Sequence, residues 1–467
     1  PLLRANTSWG TAFVRCAYSR AFLSSIGREI WRMIKKGGSM ADFEAIVVGA
    51  GCAGSVAAYE LARSGKSVLL IERGNYAGAK NMTGGRIYSH SLAKVFPDFE
   101  QEAPLERKIT HEKISLLAPD ACFTVDFSSE AMLAPNSDSY SVLRAPFDQW
   151  LASKAEEAGA EAIYGIAVES LVKDETGKVI GVKAGEDEIT ADVVLLCDGV
   201  NSLLTKQAVG AARPPASGIA VGIKQTIELP PSVITDRVLS GSDEEGAAWL
   251  FAGDATKGTF GGGFAYTNKS SISIGLIEAT MNHGRAPVYQ MLEDFKQHPA
   301  IAPLIAGGKV VEHSGHMVPE GGLSIMPPLV GDGVLLAGES AMMCINLGYQ
   351  VRGMDFAIAA GMHAGREAAR ALSAGDTSAQ GLQGYTAALE NCFVMQDLRQ
   401  FSKVPSFMEG FHRMFDGYPQ AIRDIMNTMF VVDGEPVRPL KKNLKPVLGQ
   451  IVVVNMARDA MGAMKAL

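Results

Sequence analysis

Glu44-Ala-Ile-Val-Val-Gly-Ala-Gly-Cys-Ala-Gly-Ser55 reads as a buried strand, a glycine turn and the start of a helix. Gly49, Gly51 and Gly54 give the spacing G-x-G-x-x-G. The first glycine permits a tight turn, the second lets the backbone approach a diphosphate, and the third lets the helix pack closely on the strand. Ala53 opens that helix, whose free N–H groups and positive dipole end point at the phosphates. Glycine spacing alone is weak evidence, but the context strengthens it. Ala53–Ser64 has a helical pattern, and Ser67–Ile71 is a second buried run. Glu72 follows 18 residues after Gly54, where an acid accepts from a ribose hydroxyl.

The next stretch chooses between dinucleotides. A nicotinamide domain continues as βαβαβ, whereas Arg73–Tyr88 (RGNYAGAKNMTGGRIY) continues in glycines and polar residues. A loop of that kind can wrap an isoalloxazine, with Arg73, Lys80, Asn81, Thr83, Gly84, Gly85 and Arg86 along it. FAD is therefore favoured over NAD. Two later segments agree. Ala191–Ser202 is a buried strand ending in Asp198-Gly199, and Gly333–Ala337 is another, followed by Gly338-Glu339 and an expected helix start. Ligands of doubly wound sheets sit beyond the carboxyl ends of the strands, so these ends define a flavin crevice.

A chain of 467 residues, 47% hydrophobic and 20% charged, predicts two or three soluble domains. The net charge of −7 argues against nucleic acid as a partner. None of the six cysteines forms a C-x-x-C pair, which suggests no zinc site, no self-contained iron–sulfur cluster and no disulfide framework. A cytoplasmic setting follows. No run of eighteen apolar residues occurs, so membrane contact is expected to be peripheral, at the inner membrane. Residues 1–39 are set apart by seven basic side chains against one acid. They read as translated upstream sequence, a linker, or a targeting or anchoring helix with Phe22, Leu23, Ile26, Ile30, Trp31 and Ile34 on one face.

From 42 to 467 the chain resembles the FixC-like branch of the electron-transfer-flavoprotein (ETF):quinone oxidoreductases. The resemblance is carried by Glu72-Arg-Gly, Ala79–Tyr88 (AKNMTGGRIY), Tyr140–Asp148 (YSVLRAPFD), Met291–Gly308 (MLEDFKQHPAIAPLIAGG) and Val351–Gly361 (VRGMDFAIAAG). It implies an α/β fold: a glutathione-reductase-like FAD-binding Rossmann domain with an inserted β-rich substrate domain and a C-terminal helical region. The expected division is FAD domain 40–211 and 326–375, β-rich substrate or quinone domain 212–325, and helical region 376–467. It also implies electrons received from an ETF-like α/β flavoprotein pair and passed towards quinone, with a small ferredoxin-like iron–sulfur partner. Larger relatives carry their own [4Fe–4S] cluster. Here the C-terminal third holds only Cys344 and Cys392, so a cluster is absent or comes from a separate subunit. Two departures stand out. Glu339 replaces the usual Asp, and Met342 and Met343 replace small residues.

Arg144 resembles the family's arginine near the flavin; the alternative is a surface charge before a helix starting near Asp148. Asn346–Met354, including Gly348, is expected to close over the flavin's pyrimidine edge, with Arg352 adding charge or serving as a structural ion pair. Phe264 and Tyr266 are read as core residues or as flanks of an acceptor. His313 and His316 are read as structural, with no metal, and Cys52, Cys197 and Cys344 as packing residues. Lys441, Lys442 and Lys445, with Arg438, form a basic face that fits an anionic membrane, an acidic partner or plain solvent. The chemistry expected is flavin redox with no side-chain acid, base or nucleophile. Rival readings are a flavin monooxygenase, an isoprenoid reductase, and an FAD relay subunit inactive alone.

Overall fold

The computed structural model describes residues 41–80, 85–135, 137–280, 286–436, 439–442, 444–445 and 453–467. Residues 1–39, together with Asn81, Thr83, Gly84 and Arg438, lie outside the described residues.

Two sheets organise the chain. In the first, Val334–Leu336, Asp187–Leu196, Phe43–Val48, Val68–Glu72 and Glu161–Tyr164 lie side by side in that order, all parallel. Val330–Gly331 adds an antiparallel edge. The central strands are continuous apolar runs, and all five residues of Val68–Glu72 are buried. That pattern suits a parallel sheet covered on both faces. The helix Cys52–Arg63 follows the first strand, and the helix Met354–Ala374 packs along it.

The contact between these helices depends on missing side chains. A Cβ on Gly361 would lie 2.2 Å from the Ala53 carbonyl oxygen, and one on Gly365 would lie 2.6 Å from that of Ala57. Both helices begin at the same end of the sheet, so their N-termini converge.

The second sheet runs Lys309–Pro319, Ile219–Glu228, Ser271–Ala279, Gly261–Thr267, Glu245–Gly253, Leu105–Ala118, Ser139–Val142, Arg86–Tyr88. It therefore draws strands from 86–142 as well as from 219–319. Gly261–Thr267 and Ser271–Ala279 form an antiparallel pair, matching the alternation in the sequence. The three glycines at its start make room for protein: a Cβ on Gly262 would meet the Phe251 carbonyl at 2.8 Å, and one on Gly263 the Phe295 ring at 2.7 Å. Helices Gln383–Glu390, Phe393–Gln400, Val404–Gly410, Gly417–Phe430 and Val453–Ala466 form the C-terminal region.

Two expectations need correction. Gly338–Ala341 is a single tight turn, not a helix start; Met342 follows in the left-handed region at φ 60°, and the helix begins at Met354. A short hairpin of Ile345–Asn346 and Val351–Arg352 fills the gap. The helix expected near Asp148 starts at Arg144.

Candidate functional site

The carboxyl ends of the parallel strands are tied together. Cys197 N–H donates to the Val48 carbonyl at 2.8 Å, Ala337 N–H to Leu196 at 3.0 Å, and Gly49 N–H to Ile71 at 2.7 Å. The Ser340 hydroxyl adds a bond to the Leu196 carbonyl at 2.7 Å. The loops after residues 48, 197 and 337 thus converge on one cleft of about 350 Å³.

The glycine turn is packed so tightly that no larger residue fits. Gly49 has φ +98°, and a Cβ there would lie 2.4 Å from the Cys197 carbonyl oxygen. At Gly54 a Cβ would lie 1.8 Å from the Gly49 carbonyl oxygen. Gly54 is thus the helix-packing glycine, while Gly49, Gly51 and Ala53 line the cleft. Glu72 lines it too, and its carboxylate holds the turn by accepting from Ala50 N–H at 2.9 Å and Gly74 N–H at 2.6 Å. A carboxylate has about four acceptor sites, so capacity for a hydroxyl remains.

Arg73 and Lys80 are exposed cations on the cleft wall, and Gly353, Met354 and Ala357 bring the second helix N-terminus to it. Arg144 lines the cleft and makes a two-pronged pair with the fully buried Asp148, at 2.9 and 2.8 Å. Burial opposes its charge, but Asp148 more than compensates and holds the guanidinium above its ordinary pKa. Burial pushes the Cys52 and Cys197 thiols well up, which keeps them out of thiolate chemistry.

Asp198 and Gly199 line the cleft, and Asp198 sits against the glycine turn, its Cα 3.1 Å from the position of a Cβ on Gly49. Burial pushes the Asp198 carboxyl up to about 6, against Ser202 and Arg73, which favour its charge. Its Oδ1 is buried and finds no hydrogen-bond partner among the described residues. Gly338 lines the cleft with φ +71°. Glu339 lines it as well, its carboxylate 3.7 Å from His316 Nε2.

The remaining expected residues sit elsewhere. Gly85 is covered by Tyr266, whose ring a Cβ would meet at 2.4 Å, and Phe264 covers Gly275 in the same way. Arg86 makes a half-buried pair with Glu112. Asn346 spends its amide on Glu320 at 3.3 and 3.2 Å and accepts from Gly348 N–H at 2.9 Å. Arg352 is paired with Asp355 and Asp397, each at 2.7 Å, which is the structural ion-pair alternative. His316, read as structural from sequence, is a wall of the cleft. His313 instead meets Gln225 at 3.0 Å.

A model of the ETF-QO/FixC family C-terminal domain matches residues 404–467, and one of FAD dependent oxidoreductases matches 44–128. The chain is 49% identical over 427 residues to the probable electron transfer flavoprotein-quinone oxidoreductase YdiS of Escherichia coli (strain K12), covering 91% of this chain and 99% of that protein. The chain belongs to the ETF-QO/FixC family. Protein FixC of Escherichia coli O157:H7 is also 49% identical, over 422 residues, 90% of this chain and 97% of that protein. Among solved structures, a geranylgeranyl bacteriochlorophyll reductase-like protein from Thermoplasma acidophilum superposes with TM-score 0.65 at 19% identity, covering 88% of this chain and 98% of the other. A flavin-dependent brominase gives TM-score 0.57 at 16% identity, covering 89% and 99%. At those identities the superpositions establish a shared fold.

This member of the ETF-QO/FixC family is an FAD-dependent oxidoreductase working in electron transfer. The cleft fits the cofactor on its own terms: a turn whose Gly49 and Gly54 leave no room for a side chain, two helix N-termini, and an orphaned buried carboxylate oxygen. FAD supplies the reversible two-electron chemistry, and the chain supplies binding, orientation and electrostatics. Among the described residues, no group of three or more His, Cys, Asp or Glu is placed to hold a metal, and no helix is long and apolar enough to cross a membrane.

Proposed function

We propose that the chain takes electrons from an ETF-like α/β flavoprotein pair and passes them towards quinone, directly or through a ferredoxin-like iron–sulfur protein. The observation carrying this reading is the convergent cleft at three strand ends, set in a chain that matches a probable electron transfer flavoprotein-quinone oxidoreductase over 99% of its length. In this reading Gly49, Gly51, Ala53 and Gly54 seat the diphosphate beneath the helix N-terminus. Glu72 takes the ribose, and Asp198-Gly199 with Gly338-Glu339 takes the ribityl chain. Arg73 and Lys80, on the cleft wall, flank the ring. Arg144 is held rigid by Asp148 on the cleft wall. Asn346, Gly348 and Arg352 act one layer out, by fixing the hairpin and the second helix N-terminus. The parallel sheet forms the FAD domain, and the second sheet and C-terminal helices form the acceptor side.

An iron–sulfur centre is supplied by a separate partner in this proposal. Phe430, Val431 and Val432, exposed by 72, 66 and 84%, close the helix Gly417–Phe430 as an apolar tip, and Lys441 and Lys442 follow it in the chain. That combination suits peripheral contact with an anionic membrane. The test is anaerobic reduction of the FAD-loaded chain by its ETF pair, followed by flavin spectra with and without a soluble quinone. Reduction followed by quinone reoxidation is expected. Reduction without reoxidation assigns a relay subunit. Rapid NADPH oxidation with no partner protein assigns a monooxygenase, and turnover of an isoprenoid lipid assigns a reductase.

A further inference from the structure

Glu320 lies just past the strand Lys309–Pro319, and its backbone N–H is fixed on the Gly218 carbonyl at 2.8 Å. Its carboxylate receives the Asn346 amide at both oxygens. On its open side is a small pocket walled by Ile345, Leu398, Phe401, Val404 and Pro405, with about the room of one water molecule. Cys344 lines the same pocket; its sulfur lies 3.6 Å from the position of a Cβ on Gly353, and Gly353 lines the flavin cleft. One layer of chain therefore separates a carboxyl in an apolar pocket from the cleft where electrons arrive.

We infer that Glu320 is the proton-exchange group of the redox cleft, with Asn346 as its positioning residue. This rests on the proposed electron-transfer function. When two electrons enter the cleft, negative charge builds up one layer away, and a carboxylate in a low-dielectric pocket answers by binding a proton from water. The O–H bond of a solvent hydronium breaks as the carboxyl O–H bond forms, and no electrons move to Glu320. When the electrons leave to a quinone, that quinone takes two electrons and two protons to become the hydroquinone. Glu320 releases one of those protons and water supplies the other, leaving the carboxylate as it began.

The surroundings support this role. Burial pushes the Glu320 carboxyl up to about 7, and the Asn346 amide only partly offsets that. The group is thus half-protonated near neutrality and responsive to a nearby charge. Burial, Glu339, Glu320 and Asp355 raise the Cys344 thiol, which stays neutral. His316, on the strand that precedes Glu320, faces Glu339. Asp355 and Asp397 are paired with Arg352. The C-terminal helices border the pocket with apolar side chains.

The test uses the FAD-loaded full chain, with Glu320→Gln, Glu320→Asp and Asn346→Ala beside the parent. Flavin midpoint potential is measured against pH, and redox-difference infrared spectra are recorded on the same samples. The parent is expected to take up about half a proton more per two electrons than Glu320→Gln around pH 7, because half of its carboxyls already hold one, and to gain intensity in a carboxylic C=O band on reduction. That band should vanish in Glu320→Gln, persist in Glu320→Asp and shift in Asn346→Ala. Identical pH–potential curves for parent and Glu320→Gln would overturn the inference, as would a band that survives in Glu320→Gln and so belongs to another carboxyl such as Asp198. If the Gln variant does not fold, the parent alone decides, because reduction without any carboxylic band overturns the inference. In all these cases FAD is bound and reducible, so the electron-transfer proposal stands; a chain that its flavoprotein pair cannot reduce would instead remove that proposal.

Discussion

Asp198 should weaken the empty protein and strengthen the loaded one. Its carboxyl sits at about 6 in the folded chain, against an ordinary value of 3.8. At about 1.4 kcal/mol for each tenfold change, that raised value corresponds to about 3 kcal/mol against folding at high pH. The sign follows from proton counting. Between about pH 4 and 6 the folded chain holds more protons at this site than the unfolded chain, so stability falls as pH rises through that window and stays low above it. Asp198→Asn removes the charge at nearly constant shape. The FAD-free Asn variant should therefore be more stable than the parent at pH 7.5, and the difference should close by about pH 4. Loading reverses the effect. A hydroxyl donating to the orphaned Oδ1 makes a bond to a charged group, worth about 1.5–3 kcal/mol. Asp198→Ala should then weaken FAD binding about 10- to 100-fold. Thermal unfolding against pH, with and without FAD, and flavin-fluorescence titration read both effects. Asn and parent proteins with superimposable pH–stability curves, together with unchanged FAD affinity in the Ala variant, would refute the reasoning.

Other substitutions probe the frame around the cleft. Gly54→Ala places a Cβ 1.8 Å from the Gly49 carbonyl oxygen, so the turn must open and the purified chain should lose its flavin absorbance. Gly361→Val forces the two cleft helices apart and should destabilise by at least about 1–3 kcal/mol in urea unfolding, with FAD affinity falling in parallel. Arg144→Ala takes the neutralising guanidinium from the fully buried Asp148 carboxylate and should cost about 3–5 kcal/mol, whereas the double change Arg144→Met/Asp148→Leu should recover most of that stability without recovering FAD affinity. Glu72→Ala frees the N–H groups of Ala50 and Gly74 as well as the ribose site, so it should weaken FAD binding more than Glu72→Gln does.

The FAD-binding half was legible because its signals are local. An apolar run, a glycine turn and a helix share the 20 residues from Glu44 to Arg63, and the acid follows at Glu72. The second sheet was only half legible. Gly261–Thr267 and Ser271–Ala279 are joined by a short turn, whereas Leu105–Ala118 pairs in parallel with Glu245–Gly253, more than a hundred residues on. No local pattern reports such a pairing. The same distance hid His316 and Glu320. Each reads as an ordinary polar residue until the second sheet is laid over the cleft. Gly361 and Gly365 did carry a signal, two small residues four apart on a helix, facing Ala53 and Ala57 at the same spacing. Met342 misled because the turn after Gly338-Glu339 ends in a left-handed residue, which a glycine-plus-acid motif at a strand end does not announce.

The account stands on one cleft seating one FAD across three strand ends. Calorimetric titration of FAD into the flavin-free chain, followed by structure determination of the complex, tests this most directly. The account predicts one FAD per chain, its diphosphate against the Gly49–Gly54 turn and its ribityl chain within hydrogen-bonding reach of Asp198. No heat of binding, or a flavin seated away from the loops after residues 48, 197 and 337, would contradict it.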